Sequence, residues 1–360
     1  MKNPFFRAAA FAAVAALSSL SAKPLEFICY SPYRDGQAPG GAEPSEAQIR
    51  EDFKLLAPFV KGIRTYTCAG IHAQIPKLAL EAGLEVYMGA WVGKDDNANV
   101  AEVNALIALA KSGNASIKGL IVGNEVLLRN DVTKARLIEY IKMVKNANTG
   151  IPVTTADIYQ RISDNSADLN PVVDYVIAHV HPYWESQTAA NGAAWVVKGW
   201  KQVKAKYPTK RVVIGETGFP SAGQTMGGAV PSEAAQAQVT TDLVTAGAKE
   251  GMEFMLFTSF DEAWKGAEGP VGANWGIWKS NRQEKAAVAK VRALPTLIRS
   301  QGGRARMRSE SPEAGLRIDA LGRIRALSAA MSLQAAGIAG AEAVARSDAA
   351  SLPVWTITAP

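Results

Sequence analysis

The feature that most constrains this chain is a unit that recurs eight times along 360 residues: a short apolar run, a turn and an amphipathic helical segment. This alternation is typical of strands that alternate with helices around a parallel sheet. The apolar runs are continuous, which indicates strands covered on both faces. The runs span residues 27–30, 62–66, 85–90, 119–122, 153–155, 175–179, 211–214 and 254–257. The helical segments span residues 45–58, 72–82, 100–111, 132–145, 193–206, 232–249 and 282–297, and the segment after the fifth run is short and unclear.

Eight such units over about 275 residues match the usual size of a (β/α)8 TIM barrel. The alternative is an open, doubly wound sheet, which often carries a glycine-rich phosphate loop after its first strand. Residues 31–36, which follow the first run, contain a single glycine. The sequence therefore predicts an α/β fold with one barrel over residues 23–300.

The two ends of the chain differ from this body. Residues 1–22 begin with Lys2 and Arg7, continue with small apolar residues and end with small ones, as a secretory signal peptide does. An uncleaved N-terminal anchor is the alternative. Residues 301–360 are rich in Ala and Arg and contain no Lys, and we expect a flexible or loosely helical C-terminal extension. These features predict a secreted or periplasmic protein.

The formal net charge of +6 does not indicate a polyanion as the partner. The two ends carry +2 each, which leaves +2 for the body of the chain. A nearly neutral body gives no electrostatic reason to expect nucleic acid. No stretch after the signal is apolar enough to span a membrane. The sequence leaves the oligomeric state open.

Two cysteines occur, Cys29 and Cys68. Export permits a disulfide between them, and both lie near the ends of neighbouring predicted strands. The alternative is two small buried side chains. Their spacing is not that of a zinc site, and both interpretations stay open.

Two glutamates follow apolar runs at the mouth of the predicted barrel. Glu125 follows the fourth run and Glu216 follows the seventh, each close to a glycine. Active sites of this fold lie at the carboxyl ends of the strands. An isolated glutamate there would be interpreted as a helix cap or an ion-pair partner. Two in facing positions indicate catalysis, and Asn124 beside the first can bind a sugar 2-hydroxyl.

Two facing carboxylates are the groups that glycoside cleavage needs. A protonated one gives its proton to the leaving oxygen, and an ionised one attacks the anomeric carbon. A separation of about 5–5.5 Å gives retention, whereas a wider gap admits water and gives inversion. We expect the ionised carboxylate to raise the pKa of the acid by repulsion.

These motifs resemble glycoside hydrolase family 17, the β-1,3-glucanases and β-1,3-glucanosyltransferases, in its microbial branch. The resemblance rests first on Gly123-Asn124-Glu125 and Gly215-Glu216-Thr217-Gly218-Phe219-Pro220. Further matching motifs are Tyr30-Ser31-Pro32-Tyr33, Ile63-Arg64-Thr65-Tyr66, Gly89-Ala90-Trp91, His181-Pro182-Tyr183-Trp184, Phe260-Asp261-Glu262-Ala263-Trp264-Lys265 and Asn274-Trp275-Gly276-Ile277-Trp278.

The resemblance covers residues 25–297. It implies that Glu125 is the acid/base and Glu216 the nucleophile of a retaining enzyme. It also assigns Asn124 to the sugar and implies that Glu262 and Lys265 support the site.

Five of the eight tryptophans follow the third, sixth and eighth runs, where they can stack on the apolar faces of pyranose rings. Each of them can instead pack a loop onto the barrel. We expect ten residues to bind substrate: Asn124, Tyr33, Tyr66, Trp91, His181, Tyr183, Phe219, Glu262, Trp264 and Lys265.

His179 and His181 lie on one side of the sixth strand, as metal ligands could. Only one other histidine, His72, is present, so a site of this kind would need Asp157 as well. We interpret His181 as orienting the pocket, and we predict neither a metal nor an organic cofactor. Arg64 and Lys265 could bind an anionic substrate, but pairing with the active-site carboxylates is the interpretation we favour.

The sequence thus predicts an enzyme that cleaves β-1,3-glucan polysaccharide or oligosaccharide by double displacement. Hydrolysis and glucanosyl transfer share the covalent step, so the sequence does not separate them. The alternatives are a non-catalytic β-glucan-binding protein and a related enzyme that acts on another β-glucan.

Overall fold

A computed structural model describes residues 23–269 and 271–294 and, beyond them, six short strands. The predicted signal segment, residues 1–22, lies outside the described residues. None of the described helices is both long and apolar enough to cross a membrane.

Eight parallel strands close into a barrel in the order in which they occur in the chain. The strands are β1 (Leu25–Cys29), β2 (Val60–Arg64), β3 (Glu85–Ala90), β4 (Ile117–Asn124), β5 (Val153–Ile158), β6 (Val176–His179), β7 (Val212–Thr217) and β8 (Glu253–Leu256). The pairing of β1 with β8 closes the ring. The predicted (β/α)8 barrel is confirmed.

Helices connect the strands on the outside of the barrel. They are α1 (Glu46–Leu56), α2 (Ile75–Glu81), α3 (Asp96–Lys111), α4 (Val126–Arg129), α5 (Lys134–Asn146), α6 (Tyr159–Asp164), α7 (Ser166–Leu169), α8 (Ala189–Lys206), α9 (Glu233–Glu250) and α10 (Ala286–Arg292). Ser45 caps α1, because its hydroxyl accepts the N–H of Gln48 while the Gln48 side chain accepts the N–H of Ser45. Short 3-10 helices span Gly70–Gln74, Ala263–Glu268 and Gly272–Asn274.

The interior of the barrel has an apolar layer and a polar layer. Phe27, Tyr87 and Tyr175 pack edge to face in the first of these, with centroids 4.9 Å and 6.0 Å apart. These rings lie in the half of the barrel where the strands begin. The half where the strands end contains buried polar side chains, including Arg64 and Glu216. The apolar layer closes one end, and the polar layer forms the floor of the site at the other.

Both cysteines are free and buried. The Cys29 thiol donates to the Gly215 carbonyl at 3.4 Å, and the Cys68 thiol lies 3.1 Å from a Glu102 carboxylate oxygen. Burial raises the pKa of the Cys29 thiol to about 12. Of the two interpretations left open by the sequence, the structure shows two buried thiols.

Described residues near the C-terminus form short strands. β9 (Leu297–Arg299) pairs with β10 (Ala305–Met307). Residues 308–360 form a separate compact unit, which contains a four-stranded antiparallel sheet of β11 (Leu316–Ile318), β12 (Ile324–Ala326), β13 (Glu342–Arg346) and β14 (Val354–Thr358). None of these described segments is helical, so the helical form expected for residues 301–360 does not describe them.

Candidate active site

A cavity of about 1050 Å³ opens at the carboxyl ends of the barrel strands. Side chains at or just after the carboxyl ends of all eight strands line it, among them Tyr30, Tyr66, Trp91, Glu125, Tyr159, His181, Glu216 and Phe257. This is the end of the barrel at which the sequence predicted the site.

The two predicted catalytic glutamates meet inside this cavity. A carboxylate oxygen of Glu125, one of Glu216 and a ring nitrogen of His179 all lie within 4.8 Å of one another. Retaining glycosidases hold their carboxyl groups about 5–5.5 Å apart, and inverting ones about 6.5–9.5 Å. The limit of 4.8 Å between the carboxylate oxygens is closer to the retaining spacing than to the inverting one.

The backbone of strand β4 aims Glu125 into the cavity. Gly123 has φ of 79°, and Glu125 itself is left-handed with φ of 53° and ψ of 34°. A Cβ on Gly123 would lie 2.6 Å from Val126 Cγ2, so the bend requires glycine there. The Glu125 side chain is 22% exposed, whereas that of Glu216 is 6% exposed. Glu125 is therefore the carboxylate that solvent or an acceptor can reach.

Glu216 lies in β7, and positive and polar groups surround its side chain. Its Oε1 lies 3.1 Å from Arg64 Nη1, and its Oε2 lies 3.4 Å from His181 Nε2. Burial raises the pKa of the Glu216 carboxyl, but the charges of His179 and Arg64 and the hydrogen bond to His181 outweigh it, and the pKa falls well below its usual value. Glu216 is thus held ionised, as a nucleophile must be.

The pKa of the Glu125 carboxyl is also lowered, which reverses the expectation from repulsion alone. Burial and the charge of Glu216 do raise it, but the hydrogen bond and charge of His179 outweigh them. His179 Nδ1 lies 2.9 Å from Glu125 Oε1. The sequence does not predict this lowering, because no sequence pattern indicates the contact of His179 with Glu125.

Arg64 organises the floor of the site from a fully buried position. Its Nη1 donates to the Gly215 carbonyl at 2.7 Å, and its Nη2 donates to Asn124 Oδ1 at 2.5 Å. Since Arg64 occupies Oδ1, the amide Nδ2 is the group that Asn124 can offer to a sugar hydroxyl. The pairing of Arg64 with a carboxylate is confirmed.

Eight of the ten residues expected to bind substrate line the cavity, and two do not. The eight are Asn124, Tyr33, Tyr66, Trp91, His181, Glu262, Trp264 and Lys265. Lys265 Nζ pairs with Glu262 Oε2 at 2.8 Å, in line with the expected pairing of this lysine.

Tyr183 and Phe219 lie behind the wall of the cavity. Both are buried, their ring centroids are 6.3 Å apart, and the Tyr183 hydroxyl donates to the Gln224 carbonyl at 2.7 Å. Their places in motifs after strand ends suggested contact with substrate. In the structure Tyr183 instead packs against Phe219 on one side and against Trp275 on another, where the ring centroids are 6.0 Å apart.

Several lining residues were not among the ten. Trp184 is 45% exposed, and Glu102, Arg129 and Gln160 also face the cavity. Trp184 could have been chosen over Tyr183, because successive positions after a strand end point in different directions. Glu102 lies on helix α3, where the rule of searching strand ends could not find it.

Among the described residues, one group of three side chains has the spacing of a metal site: Glu125, His179 and Glu216. Asp157 does not belong to it. Arg64 lies 3.1 Å from Glu216 Oε1 and already supplies the positive charge that a cation would bring. The arrangement therefore fits a pair of catalytic carboxylates better than a metal centre.

Residues 28–276 match the BtgE/BtgC glycoside hydrolase domain. The "Probable glucan endo-1,3-beta-glucosidase btgC" of Aspergillus flavus is 30% identical over 263 residues, which cover 64% of this chain and 38% of that protein. The "Cell surface mannoprotein MP65" of Candida albicans is 30% identical over 265 residues, 70% of this chain and 66% of that protein. The chain thus spans well under half the length of the Aspergillus relative.

Solved structures of a Rhizomucor miehei enzyme share the fold. Its glycoside hydrolase family 17 β-1,3-glucanosyltransferase is 30% identical with a TM-score of 0.65, covering 74% of this chain and 97% of that one. An active-site mutant of the Rhizomucor miehei β-1,3-glucanosyltransferase in complex with laminaritriose is 28% identical with a TM-score of 0.66 and the same coverage. The resemblance drawn from the motifs is confirmed, and the chain belongs to the BtgE/BtgC glycoside hydrolase domain family and to glycoside hydrolase family 17.

Proposed function

We propose that this protein cleaves β-1,3-linked glucan with retention of the anomeric configuration, with Glu216 as nucleophile and Glu125 as acid/base. The observation that carries the proposal is the approach of the two carboxylates to within 4.8 Å at the floor of one cavity. The names of the relatives support β-1,3-glucan as the polymer.

In the first step a Glu216 carboxylate oxygen attacks the anomeric carbon and the glycosidic bond breaks. The leaving oxygen takes a proton from Glu125, and a glycosyl ester of Glu216 remains. Glu125 must be protonated for this, although the hydrogen bond and charge of His179 lower the pKa of its carboxyl. The Glu125 side chain, which is 22% exposed, can take this proton from solvent before the sugar binds. A bound sugar then excludes water and so favours the neutral carboxyl.

In the second step Glu125 removes a proton from an incoming hydroxyl group, whose oxygen attacks the anomeric carbon and releases Glu216. Water as acceptor gives hydrolysis, and a sugar hydroxyl gives glucanosyl transfer. Both routes use the same residues, so the proposal includes both.

Aromatic rings and polar groups would bind different parts of the sugar. Tyr33, Tyr66 and Trp264 line the inner cavity, while Trp91 and Trp184 are exposed at its rim. Pyranose rings present apolar faces to such rings and hydroxyls to groups such as Asn124 and Glu262. An exposed rim of this kind suits an extended chain that continues beyond the reacting sugar.

A secreted or periplasmic location is part of the same proposal. The composition of residues 1–22 supports it, and a cell surface protein is among the relatives. A glucan polymer outside the cell would meet the enzyme there.

The test compares Glu216→Ala and Glu216→Gln with the wild type on laminari-oligosaccharides, with and without azide. Both variants should lose turnover by at least about 10⁴-fold, because they lack the nucleophile. Azide should restore activity only to the Ala variant, where it fits the vacated space and yields an α-glycosyl azide. Near-normal turnover in either variant would contradict the assignment.

Product analysis of the wild type tests the reaction class. The first-formed product should have the β configuration by NMR, and new chain lengths should appear. Binding of laminari-oligosaccharides without any new chain length would favour the non-catalytic alternative. A panel of mixed-linkage glucan, cellulose and mannan tests the linkage.

A further inference from the structure

The acid/base glutamate occupies an unusual backbone position that something must hold. Glu125 is the residue before helix α4 and has the left-handed φ of 53° that side chains other than glycine rarely adopt. At such a position a side chain usually folds back to accept the free N–H groups of the first turn. The Glu125 side chain makes no such bond, and its Oε1 instead faces His179.

Asp157 of the neighbouring strand β5 accepts those N–H groups. Its Oδ2 accepts the N–H of Leu127 at 2.8 Å and that of Leu128 at 3.3 Å. Its Oδ1 accepts the N–H of Ile158 at 2.9 Å. The side chain is fully buried, so water does not compete for these bonds.

Strand β5 thus holds Glu125 on both sides. The N–H of Glu125 itself donates to the Ala156 carbonyl at 2.8 Å, directly before Asp157 in the chain. The two residues that precede Asp157 and Glu125, Ala156 and Asn124, are partners in the register of the two strands. The backbone at Glu125 is therefore fixed immediately before and after the catalytic side chain.

We propose that Asp157 is the positioning residue of the acid/base: it caps the turn after Glu125 from the neighbouring strand, which leaves the Glu125 carboxylate free for proton transfer. This inference rests on the proposed role of Glu125. Asp157 touches no reacting atom, so its loss should impair protonation of the leaving group rather than attack by Glu216.

That distinction gives a readout that general structural damage would not reproduce. A laminari-oligosaccharide needs a proton on its leaving oxygen, whereas a dinitrophenyl β-laminaribioside has a leaving group that departs without one. The kcat/KM reports the first step for both substrates. A misplaced acid lowers kcat/KM for the oligosaccharide alone, and a damaged barrel lowers both.

The experiment measures kcat/KM on laminaripentaose and on the dinitrophenyl glycoside for Asp157→Ala, Asp157→Asn and Glu125→Gln. Asp157→Ala should lose about 100-fold on laminaripentaose, the lower end of the usual contribution of a general acid, and less than about 3-fold on the activated substrate. Asp157→Asn keeps one acceptor oxygen and should show a smaller loss with the same selectivity. It carries the test if the Ala variant does not fold.

Asp174→Ala is the matched control, since the Asp174 carboxylate accepts the N–H of Val153 at 2.8 Å at the opposite end of the same strand. It should keep the wild-type ratio between the two substrates. Equal losses on both substrates in the Asp157 variants, or no loss on either, would overturn the inference. Glu125→Gln distinguishes the acid/base role of Glu125 from the positioning role of Asp157. If this variant lacks the selective loss, the acid/base assignment fails whatever the Asp157 variants show.

Discussion

At the scale of single residues, Arg64 links the two halves of the proposed chemistry. It is ion-paired with Glu216 and hydrogen-bonded to Asn124, so one side chain sets both the charge of the proposed nucleophile and the orientation of the proposed sugar contact. Its planar, forked guanidinium can do both at once, which a lysine ammonium cannot.

We therefore expect Arg64→Met and Arg64→Lys to differ in the pH dependence of kcat/KM. Arg64 is one of the groups that lower the pKa of Glu216, together with His179 and His181. Without its charge the Glu216 pKa rises, and the acidic limb of the profile should move to higher pH in Arg64→Met. Arg64→Lys keeps the charge and should leave the limb in place.

Both variants should lose about 10-fold or more in kcat at the optimum, since neither keeps the fork that orients Asn124. The lowered pKa also contributes folding stability that is present above the unfolded carboxyl pKa and is lost as pH falls through the folded value. An acidic limb that stays in place in Arg64→Met would contradict this account of Glu216.

At the scale of elements, helix α1 is fastened to the barrel by a buried carboxylate. Asp52 is fully buried and accepts from Tyr30 Oη at 3.0 Å, while Arg282 Nε and Nη2 each lie 2.8 Å from its oxygens. Arg34 completes the cluster at 3.2 Å. The cluster joins α1 to the loops that follow β1 and β8.

Asp52→Asn should destabilise the protein by about 3 kcal/mol, because it leaves a buried guanidinium without its counter-charge. Glu51→Gln is the control: Glu51 pairs with the same Arg34 at 2.8 Å but is 61% exposed. The expected loss there is below about 1 kcal/mol. Urea-induced unfolding measures both, and equal losses would show that burial does not decide the value of these pairs.

The elements also show what the sequence could and could not predict. Apolar runs predicted every barrel strand, because a strand covered on both faces must be continuously apolar. The same rule predicted that β4 ends at residue 122 and β7 at residue 214. In the structure these strands extend to Asn124 and Thr217. Apolar character stops where a strand enters a polar cleft, although backbone pairing continues.

The two glutamates proposed as catalytic were predicted to lie close together because they follow runs in facing strands, and the structure brings them into one cavity. The contact of His179 with Glu125 was not predicted, because no local pattern reports a contact between residues 54 positions apart in the chain. Helix α10 was predicted over residues 282–297 but spans only Ala286–Arg292. Arg282 lies outside the helix and instead donates a hydrogen bond to Asp52.

At the scale of the whole molecule, the barrel closes on itself. The ring uses β1 to β8 alone among the described strands, and residues 308–360 form their own compact unit. Eight-stranded closure leaves no strand edge for another segment to complete.

A chain that ends at Met307 should therefore keep its kcat on laminarin and unfold within about 2 °C of the full chain. A chain that ends at residue 285 is the comparison, because it lacks α10 with its buried Ala287, Val288 and Val291. That chain should be clearly destabilised. A large fall in the unfolding temperature for the Met307 chain would show that the barrel depends on residues 308–360. Thermal unfolding and laminarin assays measure both properties.

The two glutamates differ in exposure, 22% for Glu125 against 6% for Glu216. This difference bears on the order in which a product leaves and an acceptor enters. In the proposed reaction, the departing half of a cleaved chain and the molecule that replaces it both approach from the Glu125 side, one after the other. A fragment that stays bound there excludes water and is itself the nearest acceptor for the glycosyl group. The concentration of free oligosaccharide should then decide whether glucan chains are shortened or rebuilt.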